Sequence, residues 1–325
     1  MNLLLNLLPF RAKYTGLTRY VERLLIAWPE AIQESLPLQL RLNHFGSVET
    51  TYAQSLPKSQ GSKYMEFLQN NALVQFAVPV RKLVKRACPD LIYSPYTDLL
   101  FAVRDFPQVI TCHDLIPLYF PNSCRAYWRS RIFLSYQLHQ ASRVIAISKS
   151  VADLLVNQGI DARCIDVVPN GIELGAHFLS KPLGYDFLVV ARHACYKNLT
   201  LALQGFAQFL LLQPNWPGKL VIIGAAGRET KKMRCLQLEL GLAGKVHWIS
   251  HLDSRSFEQQ LCNSFCLISP SLMEGFDYPL MEAQSIGLPT LASRIPVHNE
   301  FHTDVALIFD INDGGVNLAH QLLQL

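Results

Sequence analysis

The fold is decided by a strand, a short helix and a second strand, with the sequences Cys266-Leu-Ile-Ser269, Glu274-Gly-Phe-Asp-Tyr-Pro-Leu-Met-Glu282 and Thr290-Leu-Ala292. Pro279 suits the start of a helix because its missing N–H would have no partner there. Gly287 is typical of the residue that follows the end of a helix. Two apolar strands separated by a helix predict a parallel βαβ unit.

The loop and helix of this unit carry two carboxylates, Glu274 and Glu282. Free N–H groups at a helix start can bind a phosphate, and carboxylates accept hydrogen bonds from hydroxyl groups. One interpretation is a pocket for a ligand that bears both phosphate and many hydroxyls, such as a nucleotide sugar. The alternative is an ordinary connection between a strand and a helix.

Strands alternate with helices in both halves of the chain, which predicts parallel sheets with helices on both faces. The predicted helices cover 16–28, 63–86, 127–141, 149–159, 199–212, 228–240 and 254–263. Ser148 is predicted to cap the helix that follows it, and Pro79 to kink the long helix over 63–86. The break near residues 171–184 predicts two domains, 1–172 and 173–325.

The composition is that of a folded protein, because half of the 325 residues are hydrophobic and 17% are charged. The net charge is +4, and no Lys/Arg stripe with interleaved aromatics points to nucleic acid. Eight scattered cysteines are interpreted as buried free thiols, which favours a reducing cytoplasm. No apolar run reaches the ~18 residues of a membrane span, and Met1–Pro9 is interpreted as a first strand rather than a signal peptide.

Polar residues follow several predicted strands at their carboxyl ends, where doubly wound sheets bind ligands. His113 and Asp114 follow one strand of the first half, and Arg192 follows a strand of the second half. With two such domains, we expect the ligand crevice to lie in a cleft between them.

Six motifs occur in order along nearly the whole chain. They are Tyr14-Thr-Gly-Leu-Thr-Arg-Tyr20, Cys112-His-Asp-Leu-Ile-Pro117, Ile145-Ala-Ile-Ser-Lys-Ser150, Val168-Pro-Asn-Gly-Ile172, Arg192 with Lys197-Asn198, and Glu274 to Glu282. Together they resemble the retaining GT-B glycosyltransferases of the GT4-like group (glycosyltransferase group 1). The resemblance implies two Rossmann-like α/β domains that face each other across a cleft, an N-terminal one for the acceptor and a C-terminal one for the nucleotide sugar.

The resemblance also implies a role for individual residues. Arg192 and Lys197 would hold the donor diphosphate and favour the charge that develops on it. His113 would lie near the donor sugar and the β-phosphate, Glu274 would contact sugar hydroxyls, and Glu282 would bind the ribose. Thus His113, Arg192, Lys197 and Glu274 are predicted to be catalytic. The residues predicted to bind the donor are Gly16, Gly275, Phe276, Asp277, Tyr278 and Glu282.

The sequence departs from the family pattern in three places. Thr18 stands where a Gly or another small residue is common, and Asp277 stands where Gly or Ser is usual. The carboxylate of Asp277 is interpreted as lying beside the sugar, where it would influence donor choice, or as pointing to solvent. The sequence stops at Leu325, whereas family members continue with helices that return to the first domain, so we expect the C-terminal domain to lack those final helices.

The expected reaction moves a hexose from a nucleotide-diphosphate sugar to an acceptor hydroxyl with retention, in the assembly of a polysaccharide, lipopolysaccharide or glycolipid. No Asp-x-Asp, Walker A or Gly-x-Gly-x-x-Gly motif is present, and no metal-ligand set is recognised among the ten histidines. We therefore expect no metal and no cofactor. The family resemblance implies a donor of the GDP-mannose or UDP-glucose type and a glycan or lipid-linked acceptor.

Two questions stay open at this point. The basic residues of 63–86 are interpreted either as a helix that faces the inner surface of the cell membrane or as a solvated helix packed on its sheet. The enzyme class also has alternatives, which are an epimerase or phosphorylase of the same fold, and a non-catalytic or truncated relative that binds sugar nucleotide.

Overall fold

A computed structural model describes residues 3–6, 16–27, 40–42, 48–50, 81, 84–85, 88–172 and 184–325. The chain divides into two compact units, Met1–Gly171 and Ile172–Leu325. The predicted boundary, between residues 172 and 173, lies one residue beyond this division. Most of the predicted helix over 63–86, including Pro79, lies outside the described residues.

The first unit contains a parallel sheet of five strands and a separate antiparallel pair. Its strands are β1 (Leu3–Leu5), β2 (Leu40–Leu42), β3 (Val48–Thr50), β4 (Leu91–Ser94), β5 (Gln108–Cys112), β6 (Arg143–Ala146) and β7 (Ile165–Val167). The sheet has the order β1-β4-β5-β6-β7, and β2 pairs with β3. Its helices are α1 (Gly16–Ala27), α2 (Ile116–Tyr119), α3 (Cys124–Arg129), α4 (Ser135–Gln140) and α5 (Lys149–Asn157).

Two local predictions in this unit have different outcomes. Ser148 caps α5 as predicted, because its Oγ accepts a hydrogen bond of 3.1 Å from the backbone N–H of Val151. The helix predicted over 127–141 is confirmed in part, since the backbone is helical from Cys124 to Gln140 but contains a π-helical turn, Ser130–Leu134, between α3 and α4. Such a turn inserts one residue into the helical path and has no sequence signal of its own.

The second unit contains one parallel sheet of six strands. Its strands are β8 (Asp186–Val190), β9 (Leu220–Ile223), β10 (Val246–Ile249), β11 (Ser264–Ser269), β12 (Thr290–Ser293) and β13 (Leu307–Phe309). Its helices are α6 (Leu199–Leu212), α7 (Thr230–Glu239), α8 (Ser254–Cys262), α9 (Tyr278–Ser285), α10 (Pro296–Phe301) and α11 (Val316–Leu322). The strand order is β10-β9-β8-β11-β12-β13.

Both faces of the second sheet are covered by helices. Along β8, Phe187 and Val189 belong to a core shared with α6, α7 and α11, whereas Leu188 belongs to a core shared with α8 and α9. Successive side chains of a strand point to opposite faces, so a strand covered on both sides is apolar throughout. The predicted doubly wound α/β architecture is therefore confirmed.

A close backbone contact joins the carboxyl ends of β8 and β9. Gly224 follows β9, and a Cβ atom at this position would lie 2.0 Å from the carbonyl oxygen of Ala191. Only glycine fits there without moving the backbone. Arg192 directly follows Ala191 in the chain. The close approach at Gly224 therefore sets the position of the backbone that carries the Arg192 side chain.

We predict that Gly224→Ala lowers the free energy of unfolding of the second unit by about 3 kcal/mol, because the new methyl group overpacks a backbone carbonyl. Gly241→Ala is the matched control. Gly241 has a φ of +70° and open space around it, so only the left-handed backbone is penalised, by about 1 kcal/mol. Urea unfolding measures both values, and equal losses in the two variants would contradict the close contact.

Candidate active site

The site lies where the strand order of the second sheet reverses. The chain builds β8, β9 and β10 outward in one direction and then returns to place β11 on the other side of β8. Doubly wound sheets bind ligands at the carboxyl ends of the strands that flank such a point. The two segments that leave the sheet there are the turn after β8, with Arg192 and Lys197, and the loop that joins β11 to α9.

An ion pair joins these two segments. Lys197, at the end of a 3-10 turn, donates a hydrogen bond from Nζ to Oε1 of Glu274. Only 15% of the lysine side chain and 9% of the glutamate side chain are exposed. A second link is a backbone hydrogen bond of 2.7 Å from the N–H of Leu272 to the carbonyl oxygen of Tyr196.

The charge on Lys197 is held in place by its neighbours. Burial alone would lower the pKa of the ammonium group, but the carboxylates of Glu274 and Asp277 outweigh this effect and raise the pKa above its usual range. Lys197 is therefore a cation at any physiological pH, and its charge interacts with both carboxylates.

Arg192 is exposed and is oriented by Tyr196. Its Nε donates a hydrogen bond of 2.8 Å to the hydroxyl oxygen of Tyr196. The guanidinium carbon of Arg192 and the Nζ of Lys197 lie 5.4 and 5.7 Å from the centroid of the buried Tyr196 ring, within range of cation–π attraction. The structure thus brings together both cations predicted from the sequence, and it adds Tyr196, which the sequence analysis missed.

Asp277 does not point to solvent, which was one of the two orientations expected from the sequence. Its carboxylate is buried, where it accepts hydrogen bonds from Ser269 Oγ and, at 3.0 Å, from Nε2 of His298. Its backbone has a φ of +67°, a conformation that glycine adopts most readily. The side chain therefore points into the second unit rather than to solvent.

The other predicted donor-binding residues occupy the same loop and helix. Gly275 and Phe276 are buried, and the Phe276 ring packs on Phe301 of α10 at 5.3 Å between centroids. Tyr278 begins α9 and Glu282 lies in its second turn, both half-buried. Because the Phe276 ring belongs to the core, only the backbone of that residue is suited to a ligand. Gly287 has a φ of +78° after the end of α9, as predicted.

His113 lies in the first unit, directly after β5. Its Nε2 donates a 2.9 Å hydrogen bond to the carbonyl oxygen of Pro95, and its ring meets the edge of Tyr20 of α1 at 4.7 Å between centroids. Burial lowers the pKa of His113 to about 4, so the ring is neutral at pH 7. Asp114 orients the start of α2, since its Oδ1 accepts a 2.9 Å bond from the N–H of Ile116.

Gly16, another predicted donor-binding residue, is the exposed first residue of α1. The structure places Gly16 and His113 in the first unit, and the remaining predicted site residues in the second. That the six predicted donor-binding residues and the four predicted catalytic residues form one site therefore stays a prediction.

One histidine spacing was not recognised in the sequence. His298 and His302 stand four residues apart, a spacing that also occurs in zinc sites. In the structure His298 is bonded to Asp277 and Ser293, and His302 to Gln284. Within the described part of the chain, no group of three His, Cys, Asp or Glu side chains could hold a metal ion.

The sequence analysis missed three residues that form hydrogen bonds with predicted site residues. They are Tyr196, which bonds to Arg192, and Ser269 and His298, which bond to Asp277. Tyr196 could have been found, because it lies inside the Arg-x4-Lys motif. His298 carries no local signal, since its partner Asp277 is 21 residues away in the chain and 3.0 Å away in space.

The two parallel-sheet units match the GT-B fold. Residues 44–175 match the family described as "Glycosyltransferase Family 4", and residues 179–313 match "Glycosyl transferases group 1". Together these matches cover most of the chain, and the protein belongs to this GT4-like group.

Curated relatives include two proteins of Salmonella typhimurium. The chain is 26% identical over 209 residues to "O-antigen chain mannosyltransferase RfbU", covering 63% of this chain and 57% of that protein. It is 24% identical over 207 residues to "Lipopolysaccharide 1,6-galactosyltransferase", covering 58% of this chain and 56% of that protein. The matched region thus spans little more than half the length of each relative.

Solved structures with the same fold include Anabaena Alr3699/HepE in complex with UDP. The TM-score is 0.69 at 17% identity, over 100% of this chain and 89% of that one. The lipopolysaccharide outer core galactosyltransferase WaaB aligns with a TM-score of 0.63 at 16% identity, over 99% and 88% of the two chains. At these identities the likeness extends to the fold alone.

We predict that the first unit loses stability as the pH falls from about 6.5 to about 4. The folded-state pKa of His113 lies below the ordinary value of 6.5, so the unfolded chain takes up a proton first and is favoured over this range. Above that range the contribution is constant. NMR titration of the His113 ring measures the pKa, and urea unfolding of wild type and His113→Asn measures the stability. Equal pH dependence in the two proteins would contradict the burial of His113.

Proposed function

We propose that the protein transfers a hexose from a nucleotide-diphosphate sugar to an acceptor hydroxyl, with retention of configuration and without a metal ion. The observation that carries this proposal is the buried ion pair of Lys197 and Glu274 beside the exposed Arg192. A cation and a carboxylate that meet at a strand switch point suit a ligand with a diphosphate next to sugar hydroxyls.

Arg192 and Lys197 take the part that a divalent cation plays in metal-dependent transferases. The diphosphate gains negative charge as its bond to the sugar breaks, and fixed cations stabilise that charge without reorganising. Tyr196 keeps the two side chains near each other. Glu274 is proposed to accept hydrogen bonds from the sugar hydroxyls.

The reaction needs no protein nucleophile if both partners use one face of the sugar. The bond between the anomeric carbon and the phosphate oxygen breaks, and a bond to the acceptor oxygen forms on the same face. The acceptor proton passes to the leaving phosphate oxygen. In this route the protein positions both substrates, and the neutral His113 remains a predicted contact of the donor sugar.

The names of similar proteins support a role in O-antigen or lipopolysaccharide assembly, since two of them are described as a mannosyltransferase and a galactosyltransferase of that pathway. The UDP in the complex of Alr3699/HepE supports a nucleotide-sugar donor. We propose GDP-mannose or a UDP-hexose as the donor and a glycan or lipid-linked acceptor.

A non-catalytic relative that binds sugar nucleotide remains the second candidate. It would bind a donor without turning it over, whereas an epimerase would return a changed nucleotide sugar without an acceptor. The presence of Arg192, Lys197 and Glu274 in one cluster favours catalysis, because a binding protein has no need to stabilise a developing charge.

We predict that Lys197→Ala and Glu274→Ala each lower kcat/KM for the donor by roughly 100-fold or more, the usual effect of removing one electrostatic contact to a transition state. Transfer and hydrolysis of GDP-mannose, UDP-glucose and UDP-galactose would be measured in the presence of a chelator. NMR of the product would give the anomeric configuration.

Removal of one partner from a buried pair also destabilises the fold, so a neutral double variant, Lys197→Met with Glu274→Gln, is needed beside the single ones. It should fold and remain inactive. Lys232→Ala, on the exposed side of α7, is the matched control and should retain full activity. Wild-type rates in both single variants would overturn the site, and donor binding without turnover in the wild type would favour the second candidate.

We also propose that the first unit contacts the inner surface of a membrane, where a lipid-linked acceptor would lie. Trp128, Ile132 and Tyr136 are spaced along one face of α3, the π turn and α4, and they are 61%, 60% and 43% exposed. Arg125, Arg129 and Arg131 are exposed beside them, and no acidic residue occurs between Asp114 and Asp153. Aromatic and basic side chains in this combination bind anionic lipid surfaces. Among the described residues, no helix is long and apolar enough to cross a bilayer.

We predict that the protein co-sediments with vesicles containing phosphatidylglycerol and that Trp128→Ser with Ile132→Ser weakens this binding about tenfold, because two apolar side chains lose their place in the interface. Leu211→Ser removes an apolar side chain from α6 of the second unit that is 76% exposed, and it is the control. Equal binding by all three proteins, or none by the wild type, would contradict the membrane surface.

A further inference from the structure

Asp277 occupies a position that disfavours an aspartate on two counts. Its φ of +67° and ψ of +69° lie in the left-handed region, which costs a residue with a side chain more than it costs glycine. Its carboxylate is also buried, with 3% of the side chain exposed. A buried charge persists only where a partner compensates it. The identity of that partner therefore decides what Asp277 does in the site.

His298 is the partner, and both of its ring nitrogens lie within hydrogen-bond distance of oxygen atoms. Nδ1 lies 2.9 Å from the carbonyl oxygen of Ser293, and Nε2 lies 3.0 Å from Oδ2 of Asp277. Both of these oxygens are hydrogen-bond acceptors, so the geometry favours a ring that donates from both nitrogens, which is the imidazolium form. The ring is fully buried on α10. Burial and the nearby charge of His298 lower the pKa of His302 to about 4, so that second histidine contributes no charge.

Four charges are consequently enclosed around the loop between β11 and α9. Lys197 and His298 carry the positive charge, and Glu274 and Asp277 the negative charge. Burial raises the pKa of Glu274, and the charge of Lys197 opposes that rise. Burial would raise the pKa of Asp277, but the hydrogen bond and charge of His298, together with the charge of Lys197, hold it well below the usual range. The cluster is balanced only as long as His298 is charged.

Lys197 belongs to both halves of this cluster. It bonds to Glu274, and its charge also interacts with Asp277. If His298 lost its charge, Lys197 alone would have to compensate two carboxylates in a region of low dielectric constant. An incoming diphosphate would then meet a lysine whose charge is already cancelled, and a site with net negative charge.

Hydrogen bonds from residues near His298 also hold the loop between β11 and α9. Ser293 Oγ, which lies 3.1 Å from Nδ1 of His298, donates a 2.5 Å bond to the carbonyl oxygen of Ser271. Ser269 donates to Asp277 from the end of β11. The loop that carries Glu274 is therefore held at residues 269, 271 and 277, on both sides of that side chain.

We propose that His298 is a positioning residue for the donor: it cancels the charge of Asp277 and so leaves Lys197 available to the diphosphate. This inference rests on the proposed function of the site. Asp277 thereby acts on donor binding through the charge balance behind the loop, and its carboxylate has no contact with the sugar. His298 acts on the donor through Lys197, and the measurable consequence of this action is donor affinity.

The test is a charge cycle with nearly isosteric variants, His298→Gln, Asp277→Asn and the double variant, all measured by calorimetry and by steady-state kinetics with the nucleotide sugar that the wild type uses. His298→Gln leaves the Asp277 carboxylate uncompensated, so we expect donor Kd and KM to rise about tenfold, a coupling typical of neighbouring charges. Asp277→Asn should remain within about threefold of wild type, because the histidine can release its proton. The double variant should recover to within about threefold as well.

His302→Gln is the matched control, since it replaces a neutral buried histidine of the same segment by a neutral amide. It should lower the melting temperature without changing donor Kd. If His298→Gln lowers the melting temperature but keeps the wild-type Kd, the pair is structural only and the inference is wrong, while the proposed function stands. A double variant as weak as His298→Gln would also overturn the charge balance. If the wild type binds no nucleotide sugar, the proposed function itself fails, and the inference fails with it.

Discussion

The ion pair between Lys197 and Glu274 is the interaction on which the second unit's site depends. It connects the segments that leave two adjacent strands, β8 and β11, at the point where the sheet reverses its order. The residues around this ion pair stabilise two buried charges at the carboxyl end of an apolar sheet. Tyr196 supports the cation, Ser271 and Asp277 fix the loop of the anion, and Gly224 allows the neighbouring strand end to approach. Charges enclosed in this way are already oriented when a ligand arrives, so little free energy is lost in arranging them.

The sequence predicted the architecture well because the signals for it are local. Apolar strands such as Phe187–Val190 are buried on both faces, and helices such as Leu199–Leu212 have the expected bounds. The caps and stops, Ser148 and Gly287, are single residues with strong backbone preferences. The π turn in Ser130–Leu134 escaped detection because its change of hydrogen-bond pattern has no sequence signal of its own.

The site was predicted in part, and the limit has a physical cause. Motif spacing identified Lys197 and Glu274, whose contact the structure shows. It did not give the direction of side chains: Phe276 is a core residue, and Asp277 points away from the surface. Direction depends on backbone torsion and on partners far away in the chain, and neither is encoded in a local pattern. The resemblance to a family identified which positions matter, whereas packing determined which atoms of those positions remain accessible.

The pairing of Asp277 with His298 also restricts how this loop can change during evolution. A substitution at Asp277 leaves a histidine that can discard its proton, so the intermediate is tolerable. A substitution at His298 leaves a buried carboxylate that must stay charged without this partner or take up a proton. Descendants that acquire glycine at position 277 are therefore expected to lose the aspartate first and the histidine afterwards. The two positions form an epistatic pair with a preferred order of mutation, because at neutral pH a buried aspartate is harder to protonate than a buried histidine is to deprotonate.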